Sequence, residues 1–275
     1  MKKIILNLIL IIILISPSIS QIMADYCAVP PYISVSITPN VLLIFDNSGS
    51  MMRLAYPFAF DRNRLYYGYF DPTKRYSYST QAGGHFYEDA NGQWSGNWLN
   101  WATMRRVDVA KKVMVGGLCE NRANPSSVKY LVGEDRPDRD FYRGWFNDNQ
   151  SPYQTPYHGN YYYGNKDGKL YVDDDESPFS GPIASYTIKV AIGTQEPLGV
   201  IQKTASKVRW GLMFFNEGNY FEQGRNRDGG QLQNEIGDLN TSIVTNIENI
   251  TPDTWTPSAE ALYEAVRVFQ GGKSA

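Results

Sequence analysis

Asp46, Ser48 and Ser50 stand at alternate positions in Asp46-Asn47-Ser48-Gly49-Ser50-Met51, directly after Val41-Leu42-Leu43-Ile44-Phe45. One carboxylate and two hydroxyls at that spacing can converge on a point, and oxygen donors are what a hard cation takes. The same side chains can instead close an Asx-type turn, where they satisfy only nearby backbone groups. The apolar run before them reads as a strand buried on both faces. The carboxyl ends of such strands are where open α/β sheets place their ligands.

A second hydroxyl with a use lies far along the chain, in Trp255-Thr256-Pro257-Ser258-Ala259-Glu260-Ala261-Leu262. Pro257 suits the first position of a helix, which makes Thr256 its N-cap. The alternative is that the Thr256 hydroxyl turns toward the same ion as Asp46, Ser48 and Ser50.

The elements that must position these groups alternate between strand and helix. A helix is expected from about Asn97 to Gly117, with Val109, Ala110, Val113 and Met114 inward and Arg105, Arg106, Lys111 and Lys112 on polar positions. Gly116-Gly117 mark its end. Tyr186–Ile192 reads as a strand, followed by a helix carrying Leu198, Ile201, Ala205 and Val208, then a strand over Arg209–Phe215. A glycine-rich turn around Gly229-Gly230 leads to a helix near Thr241–Ile250. The last helix carries an apolar stripe of Ala259, Leu262, Tyr263, Val266 and Phe269. Together these predict a three-layer, doubly wound α/β domain.

Two long stretches interrupt that alternation, about 53–96 and about 120–185, both rich in Tyr, Asn, Asp and Gly. They read as ordered aromatic insertions. Asp89-Ala90-Asn91-Gly92 suits a hairpin. Asn165-Lys166-Asp167-Gly168 resembles part of a calcium loop, but the remaining ligand positions do not fit, and it reads as a solvated acidic turn. Abundant Tyr with Asn, Ser and Gly is a composition that suits recognition surfaces.

Lys2 and Lys3, the apolar run Ile4–Ile15 and Ser16-Pro17-Ser18-Ile19-Ser20 have the order of a secretory signal peptide, residues 1–24, cleaved after Ser20 or Ala24. The run is shorter than the roughly 20 residues a membrane span needs. An exported protein is expected, not integral to a membrane after cleavage. In an oxidising compartment Cys27 and Cys119 can form one disulfide, or remain two thiols. A net charge of −2 with no basic face or tail gives no case for nucleic acid.

Asp46, Ser48, Ser50 and Thr256 resemble the metal-ion-dependent adhesion site of von Willebrand factor A domains. That family places a further aspartate after a later strand, which would fall beyond Ala275. Ala24-Asp25-Tyr26-Cys27, Pro30-Pro31-Tyr32, Asn97-Trp98-Leu99-Asn100-Trp101-Ala102-Thr103-Met104-Arg105-Arg106, Arg209-Trp210-Gly211-Leu212 and Thr256–Tyr263 are similar to the PilC/PilY family. Its members are tip-associated adhesins and assembly factors of type IV pili in Gram-negative bacteria. The resemblance implies residues 25–275 as a von Willebrand factor A-like domain, an N-terminal piece without the family's C-terminal β-propeller. It also implies minor pilins and a surface or host protein ligand as partners, and a location in the periplasm, at the outer membrane or cell surface, or at the pilus tip. The expected cofactor is a divalent cation, Mg²⁺ first, with Mn²⁺ or Ca²⁺ as alternatives.

An enzyme is not expected. An apolar strand ending in Asp46 also opens haloacid-dehalogenase-type phosphatases, but those want a second acid where this chain has Ser48. Asn47-Ser48-Gly49 lacks the glycines that flank a hydrolase nucleophile. His85 and His158 both fall in turn-rich insertions. A structural role in pilus biogenesis without direct adhesion stays open beside adhesion.

Overall fold

The computed structural model describes residues 38–135, 140–175, 177–216 and 229–271. The expected signal peptide and Cys27 lie outside the described residues. The chain opens with β1 (Asn40–Phe45) and a 3₁₀ turn (Gly49–Met52). It continues through β2 (Arg75–Ser79), β3 (His85–Glu88), β4 (Trp94–Ser95), α1 (Gly96–Thr103) and α2 (Arg106–Val115). Seven strands follow: β5 (Cys119–Glu120), β6 (Tyr130–Val132), β7 (Phe141–Asn147), β8 (Asn160–Lys166), β9 (Lys169–Asp173), β10 (Ala184–Thr187) and β11 (Lys189–Ala191). The last elements are α3 (Val200–Lys203), β12 (Arg209–Asn216), β13 (Gly229–Asn234), α4 (Asn240–Glu248) and α5 (Ser258–Phe269).

Among the described residues the architecture is mixed α/β with three sheets. One has the order β1-β12-β13, with β1 parallel to β12 and β13 antiparallel. On one face, Phe45, Trp210 and Leu212 pack with Val115 of α2, Ile201 of α3 and Ile243, Val244 and Ile247 of α4. On the other face lies α5. A Cβ on Gly230 of β13 would fall 2.2 Å from Met213 Sδ and 3.3 Å from Ala261 Cα, so only glycine lets the helix come this close. Gly229-Gly230 thus belong to a strand and not to the expected turn.

The two insertions build a second core. A six-stranded sheet, β4-β2-β3-β11-β6-β5, and a four-stranded antiparallel sheet, β10-β9-β8-β7, enclose α1. Every residue of α1 is buried. Trp98 meets Trp94, Trp101, Phe146 and Tyr163 at ring-centroid distances of 4.8–6.0 Å. The Asn97 and Asn100 amides serve the irregular chain over 64–70. Tyr66 N–H donates to Asn97 Oδ1 at 2.7 Å and Phe70 N–H to Asn100 Oδ1 at 3.0 Å. Asn100 Nδ2 donates in turn to the carbonyls of Tyr66 and Phe70. Buried loop backbone must be paired somewhere, and these two amides do it.

The single helix expected over 97–117 is two. Residues 54 and 55 bridge to 105 and 104, drawing Met104 and Arg105 into extended backbone. The Asp108 carboxylate then caps the new start, accepting from Arg105 N–H at 2.8 Å. Arg105, expected on a polar face, is buried, with its guanidinium donating to Met52 O and lying 4.8 Å over the Phe141 ring. The end is as expected, with Gly116 at φ +87°.

Smaller expectations also shift. The Asp89–Gly92 turn forms, but the strands it joins flank β2 on opposite sides and do not pair with each other. Tyr186–Ile192 breaks at Ile188, because β10 and β11 belong to different sheets. The helix expected over 198–208 keeps one turn, and Ala205 is exposed. Asn165–Gly168 makes the β8–β9 hairpin turn, with Asp167 and Gly168 at φ +48° and +65°. On α5 the expected stripe faces outward: Leu262, Tyr263, Val266 and Phe269 are exposed, while Ala261, Glu264 and Ala265 are buried.

Candidate metal centre at the end of the first strand

The β1–β12 ladder ends at the pair Phe45 and Phe214. One residue later the half-buried Asp46 accepts from Ser48 N–H through Oδ1 at 2.8 Å, an Asx turn. The turn expected as the local alternative therefore forms, and it occupies one of the two carboxylate oxygens. Ser48 Oγ and Ser50 Oγ share a hydrogen bond at 3.0 Å. Adjacent ligands in an octahedral shell of radius 2.0–2.1 Å stand about 2.9 Å apart, so this hydroxyl pair has the spacing of two neighbouring Mg²⁺ ligands.

The distant segment comes alongside. Ser48 and Thr254 form a parallel bridge, with Gly49 N–H donating to Thr254 O at 2.9 Å. Asn47 O accepts from Asp253 N–H at 3.0 Å and Thr254 N–H at 3.3 Å. Thr256 follows two residues later, exposed, with its carbonyl accepting from Ser258 N–H at 2.9 Å. It does not cap α5 through its side chain; the flanking position is Pro257, and no side-chain capping bond forms. The fold therefore brings together the two segments that carry Asp46, Ser48, Ser50 and Thr256.

The geometry also identifies two residues that the motif reading passed over. Asn47 joins the loop to the backbone of Phe215. The Thr254 hydroxyl, in contact with Asn47 O and Trp255 O, is committed to backbone. Asn47 lies inside the motif, but its type alone marks only a turn.

Among the described residues, no group of three or more His, Cys, Asp or Glu side chains is placed to hold a metal ion. The candidate centre is instead one carboxylate with hydroxyls, the donor set of a hard cation that keeps several waters. His85 Nδ1 lies 3.1 Å from Gln81 O, and His158 stacks on Tyr153 at 3.8 Å. Among the described residues Cys119 has no disulfide partner; its side chain is buried, and burial pushes the thiol up to about 11.

The comparison with known families falls on the aromatic half of the molecule. Residues 57–174 match the family model described as PilY1 homolog, small alpha/beta domain. This segment runs from before β2 to the end of β9 and carries α1 and α2. It supports a PilY1-like family and a type IV pilus-related role. The loop at Asp46 and the segment at Thr256 lie outside it. No curated protein and no solved structure matches the chain. Among the described residues, no helix is long and apolar enough to cross a membrane.

Proposed function

We propose that this chain is a type IV pilus-associated adhesin and assembly protein that binds a surface or host protein through a divalent cation. Asp46, Ser48, Ser50 and Thr256 would hold the ion, directly or through water, with Mg²⁺ as the first candidate and Mn²⁺ or Ca²⁺ as alternatives. The observation that carries this reading is the Ser48–Thr254 bridge, which brings the 253–256 segment against a loop with two hydroxyls at ligand spacing. One carboxylate cannot neutralise a divalent charge, so the ion stays electrophilic toward a carboxylate of the partner. The chain is not proposed as an enzyme.

The test is isothermal titration with Mg²⁺. The wild-type chain is expected to bind saturably, and Asp46→Ala to lose that binding while keeping the far-UV spectrum of the fold. Unchanged affinity in Asp46→Ala would remove the site assignment. Turnover of an aryl phosphate, abolished in Asp46→Asn, would turn the reading toward a phosphatase. In cells, normal pilus number with lost attachment in an Asp46 variant supports adhesion; loss of pili supports a structural role in biogenesis.

A further inference from the structure

The outer face of the four-stranded sheet is unlike its inner one. Phe146, Tyr161, Tyr163, Leu170, Val172, Ala184 and Tyr186 point into the aromatic core. Their neighbours Trp145, Tyr162, Tyr171 and Asp173 therefore face away from it. Strict alternation along β7 would put Tyr142 and Trp145 on opposite faces. A bulge between Tyr142 and Gly144, with Gly144 at φ +85°, prevents that. It sends Arg143 inward, where its guanidinium lies 3.6 Å from the Trp101 ring centroid and donates to Tyr56 O and Trp101 O. Tyr142 and Trp145 then share the outer face with Tyr162, whose ring centroid lies 5.7 Å from one and 3.6 Å from the other. Tyr142 and Trp145 remain 50% and 51% exposed.

The strand register sets a carboxylate beside these rings. Trp145 pairs with Tyr162 across β7–β8, and Tyr162 pairs with Asp173 across β8–β9, which makes one row across three strands. Asp173 is 3% exposed; its Oδ1 accepts from Asp174 N–H at 2.8 Å, and among the described residues its Oδ2 has no hydrogen-bond partner. A buried carboxylate oxygen without a donor is costly, and a cation is the group that relieves it. Exposed Asp174 and Asp175 follow at once. The same face already uses the combination once: Lys166 Nζ lies 5.8 Å from the Phe179 ring centroid and 3.1 Å from Asp140 Oδ2.

We propose that the exposed rings of Trp145 and Tyr142, backed by buried Tyr162 and Asp173 and flanked by exposed Asp174 and Asp175, form a docking surface for a basic side chain, lysine or arginine, of a partner protein. The rings attract the cation through their faces, and the acidic residues supply the opposite charge. A neutral saccharide could stack on the rings, but it would leave the Asp173 charge uncompensated. This surface is separate from the loop at Asp46 and does not depend on a metal there.

The test uses the peptide acetyl-Gly-Lys-Gly-Lys-Gly-amide, titrated into the wild-type chain in metal-free buffer. Binding is followed by calorimetry and by the Trp145 indole N–H resonance. Saturable binding is expected, weakened at least tenfold in Trp145→Ala and in Asp173→Asn, and lost when both peptide lysines are acetylated. Trp145 is half-exposed, so its variant is expected to fold even where Asp173→Asn does not. No saturable binding, equal binding by Trp145→Ala, equal binding of the acetylated peptide, or a response to maltohexaose in place of the lysine peptide would each overturn the proposal.

Discussion

Asn47 and Phe215 are joined by a reciprocal pair of hydrogen bonds. Asn47 Nδ2 donates to Phe215 O at 3.1 Å, and Phe215 N–H donates to Asn47 Oδ1 at 2.8 Å. A side-chain amide thus adds one more rung to the β1–β12 ladder, where the backbone has already turned away. The carbonyl of the same residue accepts from Asp253 and Thr254. One buried residue therefore fixes both segments of the candidate metal centre in a common frame.

Asn47→Ala is expected to cost about 2–4 kcal/mol, because it leaves the Phe215 N–H and C=O unpaired. It should also weaken Mg²⁺ binding at least tenfold although no proposed ligand is removed. Urea unfolding gives the first quantity and calorimetry the second. A control such as Ile247→Ala, in the core beneath the sheet, should lose stability without that loss of affinity. Equal affinity losses in both variants would reduce Asn47 to a structural role.

Asp108 supplies a pH dependence. Burial first, and then the Glu134 carboxylate, push it from the usual carboxylate range up to about 6, against the hydrogen bonds from Arg105 and Glu134 N–H. The folded value lies above the unfolded one. Its contribution to stability is therefore full below about pH 4 and lost as pH rises through 6. A shift of that size corresponds to about 3 kcal/mol. The stability of the wild type relative to Asp108→Asn should grow by up to that amount between pH 7 and pH 4. A constant difference in urea unfolding over this range would contradict the assignment.

Asn100 pairs three backbone groups of the loop over 64–70 through a single amide. Asn100→Leu fills similar space but leaves Phe70 N–H and the carbonyls of Tyr66 and Phe70 without partners. The expected loss is about 3 kcal/mol or more. Thermal unfolding measures it, and a loss below about 1 kcal/mol would mean that water replaces the amide.

The two faces of α5 should respond oppositely to substitution. Leu262→Ser and Val266→Ser change exposed positions and are expected to stay within about 0.5 kcal/mol of wild type. Ala265→Leu adds volume where α5 meets the sheet and should cost about 1–3 kcal/mol. A large loss in either serine variant would show that the outward face is covered in solution.

The first strand, the β12 strand, the α4 and α5 helices and the glycine stop after α2 were all legible in the chain, because apolar periodicity and turn chemistry are local; the burial expected on both faces of the first strand is not met, since only Phe45 of it is buried. So was the spacing of Asp46, Ser48 and Ser50. The stripe on α5 was misassigned for a physical reason: periodicity finds an apolar face, but helix-to-sheet distance decides which face goes inward. At Gly230 the close approach is to Ala261, and Ala261, Glu264 and Ala265 turn in while Leu262, Tyr263, Val266 and Phe269 turn out. Likewise Arg105 has the composition of a solvated position, and only the pairing of residues 54–55 with 104–105 breaks the helix and buries it. The sequence by itself determined which oxygens could serve a cation and which segments could be strands. The tertiary structure alone decided that residues 47 and 254 touch, that the two insertions close a second core around α1, and that a bulge turns two aromatic rings to one side. Those outcomes depend on contacts between residues far apart in the chain, which no local pattern encodes.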